Sequence, residues 1–234
     1  DHCPFCVRVR LALGYKNVKH EVVFMGNDDV ATPTALIGKK IAPILVMPND
    51  DMAPMPESLD ICKFFDENER FGPTNVIKPA TGRTDFKTWQ KGLQTTLRML
   101  TRPRYMQTAL PEFMQQDGKD AFVKNHQLPP YEKKEWKEGD MTMDAKWALY
   151  TDALETKTGE HLPDLNAALK ELEPMIYSKE FCSEGGFSYD DIDLWSRLRS
   201  ISLVKGAEFP KGVKDYMDYH EKAGDVPLYW NMQI

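Results

Sequence analysis

The sequence predicts an α/β domain over residues 1–70, a linker at 71–82 and an all-α domain over 83–234. Three observations carry this prediction. A Cys-x-x-Cys motif, Cys3-Pro4-Phe5-Cys6, opens a helical run at the start of the chain. Short apolar runs of strand type, at 20–25 and 43–47, occur only before residue 70. Beyond residue 82 the apolar residues recur at three- and four-residue intervals, the period of one face of a helix. A chain of 234 residues has ample core for two modest domains.

Each element follows from its residues. Pro4 suits the first turn of a helix, where a missing N–H costs nothing. The run from Val7 to Leu13 then reads as helical, with Gly14 as its stop. Residues 20–25 read as a strand that ends at Gly26-Asn27-Asp28-Asp29. Residues 32–38 read as a short helix, with Thr32 as cap, Pro33 at its first position and Gly38 at its end. Residues 43–47 form an apolar run of buried-strand type, followed by a turn at 49–51 and a weak returning strand at 52–55. A helix then carries Ile61, Phe64 and Phe65 and frays by Arg70. Residues 71–82 hold two glycines and two prolines without periodicity, which marks the linker. Helices follow through Phe86, Trp89, Leu93, Leu97 and Leu100, ending at Arg102-Pro103, and through Leu162, Leu165, Leu169 and Leu172. Two more carry Leu194, Leu198 and Ile201, then Val213, Tyr216, Met217 and His220. Residues 125–140, rich in charge and containing Pro129-Pro130, read as an exposed loop or ragged helix.

Composition narrows the function classes. Net charge is −6 with no basic run, which excludes a general nucleic-acid binder. No apolar stretch reaches the length of a membrane span, and no signal peptide is visible. Four cysteines in a chain this long are too few for a disulfide framework, so the expected compartment is a reducing cytoplasm.

The Cys-x-x-Cys pair carries the chemistry. Cys3 falls at a helix N-terminus, where unpaired N–H groups and the helix dipole favour a thiolate. Cys6, one turn on, lies on the same side and can attack a disulfide formed at Cys3. The competing readings are a zinc half-site and a chance spacing. Zinc needs four ligands, usually a second close pair. Cys62 and Cys182 stand alone, and the five histidines show no ligand spacing. Thiol–disulfide chemistry is therefore the expectation, with no metal. Cys62 and Cys182 receive no role. His2, Arg8 and Arg10 are candidates to steady a Cys3 thiolate, although surface charge is the plainer role for at least two of them.

Several stretches together resemble a known family. They are Asp1-His2-Cys3-Pro4-Phe5-Cys6, Asn27-Asp28-Asp29 with Thr32-Pro33-Thr34, Ala42-Pro43-Ile44-Leu45, and Met55-Pro56-Glu57-Ser58-Leu59-Asp60-Ile61. The N-terminal pattern resembles the thioredoxin fold, and Cys-Pro-[Tyr/Phe]-Cys is the glutaredoxin form of its motif. With the helical half, the chain resembles the glutaredoxin 2 family of bacteria, large glutaredoxins built like a glutathione transferase. The resemblance is specific through about residue 66 and returns at 188–203. Residues 125–147 match nothing in that pattern.

The resemblance implies a thioredoxin-like α/β domain followed by an all-α domain, in the glutathione-transferase-like two-domain architecture. It implies a glutathione-dependent disulfide oxidoreductase with Cys3 as nucleophile and Cys6 as resolver. Glutathione, the co-substrate, would lie across Phe5, Ala42, Pro43, Glu57 and Ser58. In this family the proline at the position of Pro43 is cis, and the backbone at Ala42 pairs with glutathione like one more strand. Ala42 replaces the usual valine. Glu57 and Ser58 would hold the γ-glutamyl end at a helix N-terminus, against the alternative that they only cap that helix. Lys39 and Lys40 are candidates for the glycyl carboxylate or plain solvated charges. No tightly bound cofactor is implied. The partners would be glutathione and disulfide-containing or glutathionylated proteins, with no nucleic acid and no membrane, and the protein acting as a monomer. A thioredoxin-like fold places a strand directly before its Cys-x-x-Cys helix, so an apolar strand preceding Asp1 is expected in the complete protein. Two other functions stay open at this point. One is a glutathione transferase or dehydroascorbate reductase on the same fold. The other is a glutathione-binding module with little turnover.

A last local motif is structural. Gly185-Gly186 lets the chain turn, and Ser188 with Asp191 forms an aspartate version of the capping box at a helix start, with Phe187 and Ile192 at staple spacing. The glutathione-transferase fold has a box of this kind in its second domain.

Overall fold

The computed structural model describes residues 1–234. Its N-terminal part runs α1 (Pro4–Tyr15), α2 (Ala31–Ile37), β1 (Ile44–Leu45), β2 (Met55–Pro56) and α3 (Ser58–Glu67). The helical part runs α4 (Asp85–Gly92), α5 (Gln94–Gln107), α6 (Gln116–Asn125), α7 (Lys133–Glu138), α8 (Met143–Glu155), α9 (Thr158–Leu172), α10 (Tyr189–Ile201) and α11 (Lys211–Gly224).

The sheet is smaller than the sequence suggests. β1 and β2 pair antiparallel, Ile44 with Pro56 and Leu45 with Met55, and residues 20–25 join no strand. A strand exists by hydrogen bonding to a neighbour, and this segment has none beside it. Val22, Val23 and Phe24 are accordingly exposed. The apolar run at 43–47 likewise pairs over only two residues, β1.

Several helix ends differ from the local signals in the sequence. α1 runs past Gly14 to Tyr15. Gly14 marks a close approach: a Cβ there would lie 1.8 Å from the Gly224 carbonyl oxygen, so the C-terminal ends of α1 and α11 cross backbone to backbone. α2 starts at Ala31, so Thr32 and Pro33 are its second and third residues, and the Thr32 N–H donates to Asp29 Oδ1 at 2.9 Å. Asp29 thus supplies the cap expected of Thr32. Gly38 does end the helix, at φ +77°. α5 continues through Pro103 to Gln107. The proline removes one ladder bond, and side chains serve carbonyls of that turn. Arg104 Nη1 donates to Leu100 O at 2.7 Å and Thr101 Oγ1 to Leu97 O at 2.8 Å.

Residues 125–140 are not simply exposed. Their charges face solvent, but Trp136 on α7 is fully buried and its Nε1 donates to the Val123 carbonyl at 2.8 Å. The Pro129–Pro130 peptide between α6 and α7 is cis.

Two hydrophobic clusters fill the interior. The larger joins α1 and α3 to α9, α10 and α11, through residues such as Leu11, Ile61, Phe65, Leu165, Trp195 and Tyr216. The smaller lies within the helical part, around Tyr105, Phe113, Phe122, Trp136 and Tyr150. The segment at 71–82 is strapped to both parts. The Asp66 carboxylate accepts from the N–H groups of Val76 and Ile77, and Lys78 exchanges backbone bonds with Phe187 and Tyr189. Ile77 is buried.

The capping box at the start of α10 is formed as expected. Ser188 N–H and O–H both donate to Asp191 Oδ2 at 2.9 Å. Asp191 Oδ1 takes the Cys182 N–H at 2.7 Å and the Tyr216 hydroxyl at 3.1 Å. This carboxylate is fully buried, so those donors replace the water it lost.

Candidate active site

Cys3 is the N-cap residue of α1, in extended conformation (φ −67°, ψ 115°), with Pro4 in the first turn. Cys6 lies one turn on, and all four cysteines are free thiols. The Cys3 thiol is brought down to about 6. The largest cause is a hydrogen bond from the Cys6 thiol. Burial works against it, and the backbone N–H groups of Cys6 and Phe5 and the His2 imidazole help. Cys6 is pushed far the other way, chiefly because it serves as that donor and because it is buried. At neutral pH the pair is therefore a Cys3 thiolate beside a Cys6 thiol. Cys62 and Cys182 are fully buried; burial pushes Cys62 up to about 12 and raises Cys182 as well.

A second edge of the site is built by α1 and α3. The Phe5 ring is exposed at 45%, and the Arg8 guanidinium sits 4.7 Å from its centroid. Arg8 Nη1 lies 3.5 Å from the Ser58 hydroxyl, and Cys62 Sγ approaches the Arg8 carbonyl at 3.7 Å. Phe5, Arg8 and Ser58 thus form one contact chain. Ser58 is the first residue of α3, and Glu57, at φ +73°, is its N-cap. Neither side chain caps the helix, so the first-turn N–H groups of α3 keep no side-chain acceptor. The Ala42–Pro43 peptide is cis. Continuing the β1–β2 register by one residue sets Pro43 level with Glu57. No hydrogen bond joins Cys3 to Ala42, Glu57 or Ser58.

Of the charged candidates, His2, Arg8 and Arg10 are engaged with carboxylates. Arg8 pairs with Asp193 of α10, and Arg10 pairs with Asp1. His2 Nδ1 lies 2.6 Å from Glu112 Oε1. Lys39 and Lys40 are exposed; Lys39 lies 3.8 Å from Glu57 Oε1, and Lys40 donates to the Asn27 carbonyl.

Sequence reasoning missed the groups that hold the residues before Cys3. Glu112 Oε1 accepts from the Asp1 and His2 backbone nitrogens at 2.6 and 2.7 Å. The Asp1 carboxylate is held by Arg10, by Arg199 Nη2 at 3.1 Å and by the Tyr229 hydroxyl at 3.1 Å. Arg199 carried a legible signal: it follows Trp195 and Leu198 on the buried stripe of α10, where a charge requires a partner. Glu112, in a short 3-10 turn at 111–113, carried none.

The comparisons with known proteins bear on this geometry. The model for the glutaredoxin 2 C-terminal domain matches residues 85–233, and that for the glutathione S-transferase N-terminal domain matches residues 2–68. Glutaredoxin 2 of Escherichia coli strain K12 is 31% identical over 237 positions, covering 100% of this chain and 97% of that protein. The chain belongs to the glutaredoxin 2 family. Glutaredoxin 2 proteins of two further Escherichia coli strains match to the same extent. The structure of glutaredoxin 2 from Salmonella typhimurium in complex with glutathione aligns with a TM-score of 0.80 at 30% identity, covering 100% of this chain and 95% of that one. As a glutaredoxin 2 family member the chain is an oxidoreductase. Its fold is a glutathione-transferase-like N-terminal domain followed by a helical C-terminal domain. No helix is long and apolar enough to cross a membrane.

Proposed function

We propose that the chain reduces glutathione mixed disulfides and protein disulfides at the expense of glutathione, with Cys3 as nucleophile and Cys6 as resolver. The observation that carries this is the polarised pair at the start of α1, with Cys3 lowered to about 6 and Cys6 raised. With a glutathionylated protein, the Cys3 thiolate attacks the glutathione sulfur. The protein thiolate leaves, and Cys3 becomes glutathionylated. A second glutathione thiolate attacks that adduct, releasing oxidised glutathione and the Cys3 thiolate. With a protein disulfide, Cys3 forms a mixed disulfide with one protein sulfur. Cys6 gives up its proton, attacks Cys3 and expels the protein thiol. Two glutathione molecules then restore the dithiol and leave as one disulfide.

Glutathione lies across Phe5, Ala42, Pro43, Glu57 and Ser58 in this reading. The open first turn of α3 supports it, because N–H groups without a capping side chain are a ready carboxylate site. The glutathione in the Salmonella typhimurium structure supports it from outside. The redox domain is residues 1–70 and the helical domain 83–234, joined by 71–82. The family matches, which stop at 68 and resume at 85, support that division. All of these residues lie in one chain, so the reaction needs no second copy. Four free thiols fit a reducing cytoplasm.

Reduction of a glutathione mixed disulfide by glutathione tests the roles. Cys3→Ser abolishes turnover. Cys6→Ser keeps it, because glutathione itself resolves that adduct. Equal loss in both variants refutes the division of roles.

A further inference from the structure

Glu112 is the one carboxylate that reaches the residue before Cys3. It lies 110 positions away in sequence from His2 and is almost buried, at 6% exposure. A single oxygen, Oε1, accepts the Asp1 nitrogen, the His2 backbone N–H and the His2 ring Nδ1, all within 2.7 Å. Burial works to raise its pKa, and the bond from His2 works to lower it. A carboxylate can only accept. The proton between them therefore sits on His2 Nδ1. The ring is packed among Tyr105, Phe113 and Phe122, with centroids at 5.1, 4.8 and 5.2 Å. Both the backbone and the side chain of His2 are thus fixed from the helical part of the molecule.

We propose that Glu112 is a positioning residue for disulfide exchange: by accepting from the His2 N–H and Nδ1, it fixes the residue before Cys3 and the chain entering α1. This rests on the reading of Cys3 as the nucleophile. The imidazole is among the groups that favour the Cys3 thiolate, so its position matters to the chemistry. Each hydrogen bond also removes freedom from the segment that aims the sulfur. The other titratable groups facing this cluster are Cys6 on α1, Tyr105 on α5 and His126 on α6. Beyond them lies the set around Asp1, which comprises Arg10, Arg199 and Tyr229.

The test uses the full chain and two readouts at Cys3. They are the pH profile of iodoacetamide alkylation, mapped by peptide mass, and the rate of glutathione mixed-disulfide reduction per folded molecule. Glu112→Ala frees His2. It moves the alkylation inflection up by about one pH unit toward that of a free thiol and slows reduction roughly tenfold, the scale of one charged hydrogen bond. Glu112→Gln keeps an acceptor oxygen, so its inflection and rate stay near wild type. Thr142→Ala, which removes a distant helix cap on α8, controls for lost stability and changes neither readout. An inflection and rate in Glu112→Ala equal to wild type, or a Glu112→Gln as impaired as Glu112→Ala, overturns the proposal. Failure of the underlying reading looks different. It shows as Cys3→Ser that still reduces the mixed disulfide.

Discussion

At the N-terminal end of α1, His2 meets Glu112. At its C-terminal end, Tyr15 O–H meets His220 Nδ1 at 2.6 Å, and His220 Nε2 faces Asp191 at 3.6 Å. Each end of the helix is therefore tied to the helical part through a histidine and a carboxylate. Their surroundings differ. At the C-terminal end the histidine and carboxylate are sealed: Asp191 and His220 are fully buried, and Tyr15 stacks on Phe187 with centroids 3.6 Å apart. Burial lowers the His220 pKa, so the ring is neutral there. The thiol nearby, Cys182, is buried beside the Asp191 carboxylate and its ionisation is suppressed. At the N-terminal end Cys3 and Cys6 are only partly buried, and the Cys6 thiol together with helix N–H groups replaces the carboxylate as neighbour of the Cys3 sulfur. The same pair of residue types builds a structural lock at one end and supports a reactive thiolate at the other. Access and the sign of the local field decide which.

The largest break in that comparison is Asp191→Ala. It leaves the Cys182 N–H, the Tyr216 hydroxyl and the cap of α10 without their acceptor in a dry site. It should cost roughly 3–5 kcal/mol by denaturant unfolding. Turnover per folded molecule should stay near wild type. A selective loss of turnover at full stability would place function at the C-terminal end too.

The second effect is a contrast in reactivity among thiols. The alkylation rate of Cys3 should inflect near its lowered value of about 6. Cys62 and Cys182 should stay unreactive until the protein unfolds, because burial raises both. The sign matters. Between about pH 6 and the free-thiol range near 8.5, folded Cys3 is a thiolate while an unfolded cysteine is not. Protein at pH 7 should therefore alkylate at Cys3 faster than free cysteine does.

Smaller effects sharpen the picture. Ser58→Ala should weaken glutathione binding roughly five- to tenfold by calorimetry, the loss of about one hydrogen bond. An unchanged affinity would reduce Ser58 to the first residue of a helix. Ser188→Ala should lower stability by about 1 kcal/mol through the cap. Tyr15→Phe keeps the stacking on Phe187 and loses only the bond to His220, for about 1 kcal/mol. Neither should alter turnover.

Local chemistry was legible in the sequence, and long-range partners were not. The place of Cys3 at the start of α1, the Gly38 stop and the Ser188–Asp191 box are each set within a few residues, and each is found. Residues 20–25 had the composition of a strand, but a strand depends on a neighbour that its own residues do not encode. Gly14 looked like a stop because its spacing fits one. Its real constraint is Gly224, which is distant in sequence. Asp29 took the capping role expected of Thr32 because the helix starts earlier, at Ala31, which puts the Thr32 N–H in the first turn within reach of the Asp29 carboxylate. Trp136 sat among charges, and only the three-dimensional packing shows that its own side turns inward. Glu112 is the extreme case. No pattern surrounds it, and its meaning comes wholly from the residue it meets.

The central claim is that Cys3 is the attacking sulfur, and adduct mapping tests it most directly. Reduced Cys6→Ser protein would be treated at pH 7 with oxidised glutathione and digested, and each cysteine peptide weighed. The account predicts one glutathione per molecule, on Cys3, with Cys62 and Cys182 unmodified. A molecule that carries glutathione on Cys62 or Cys182, or none on Cys3 while folded, contradicts it.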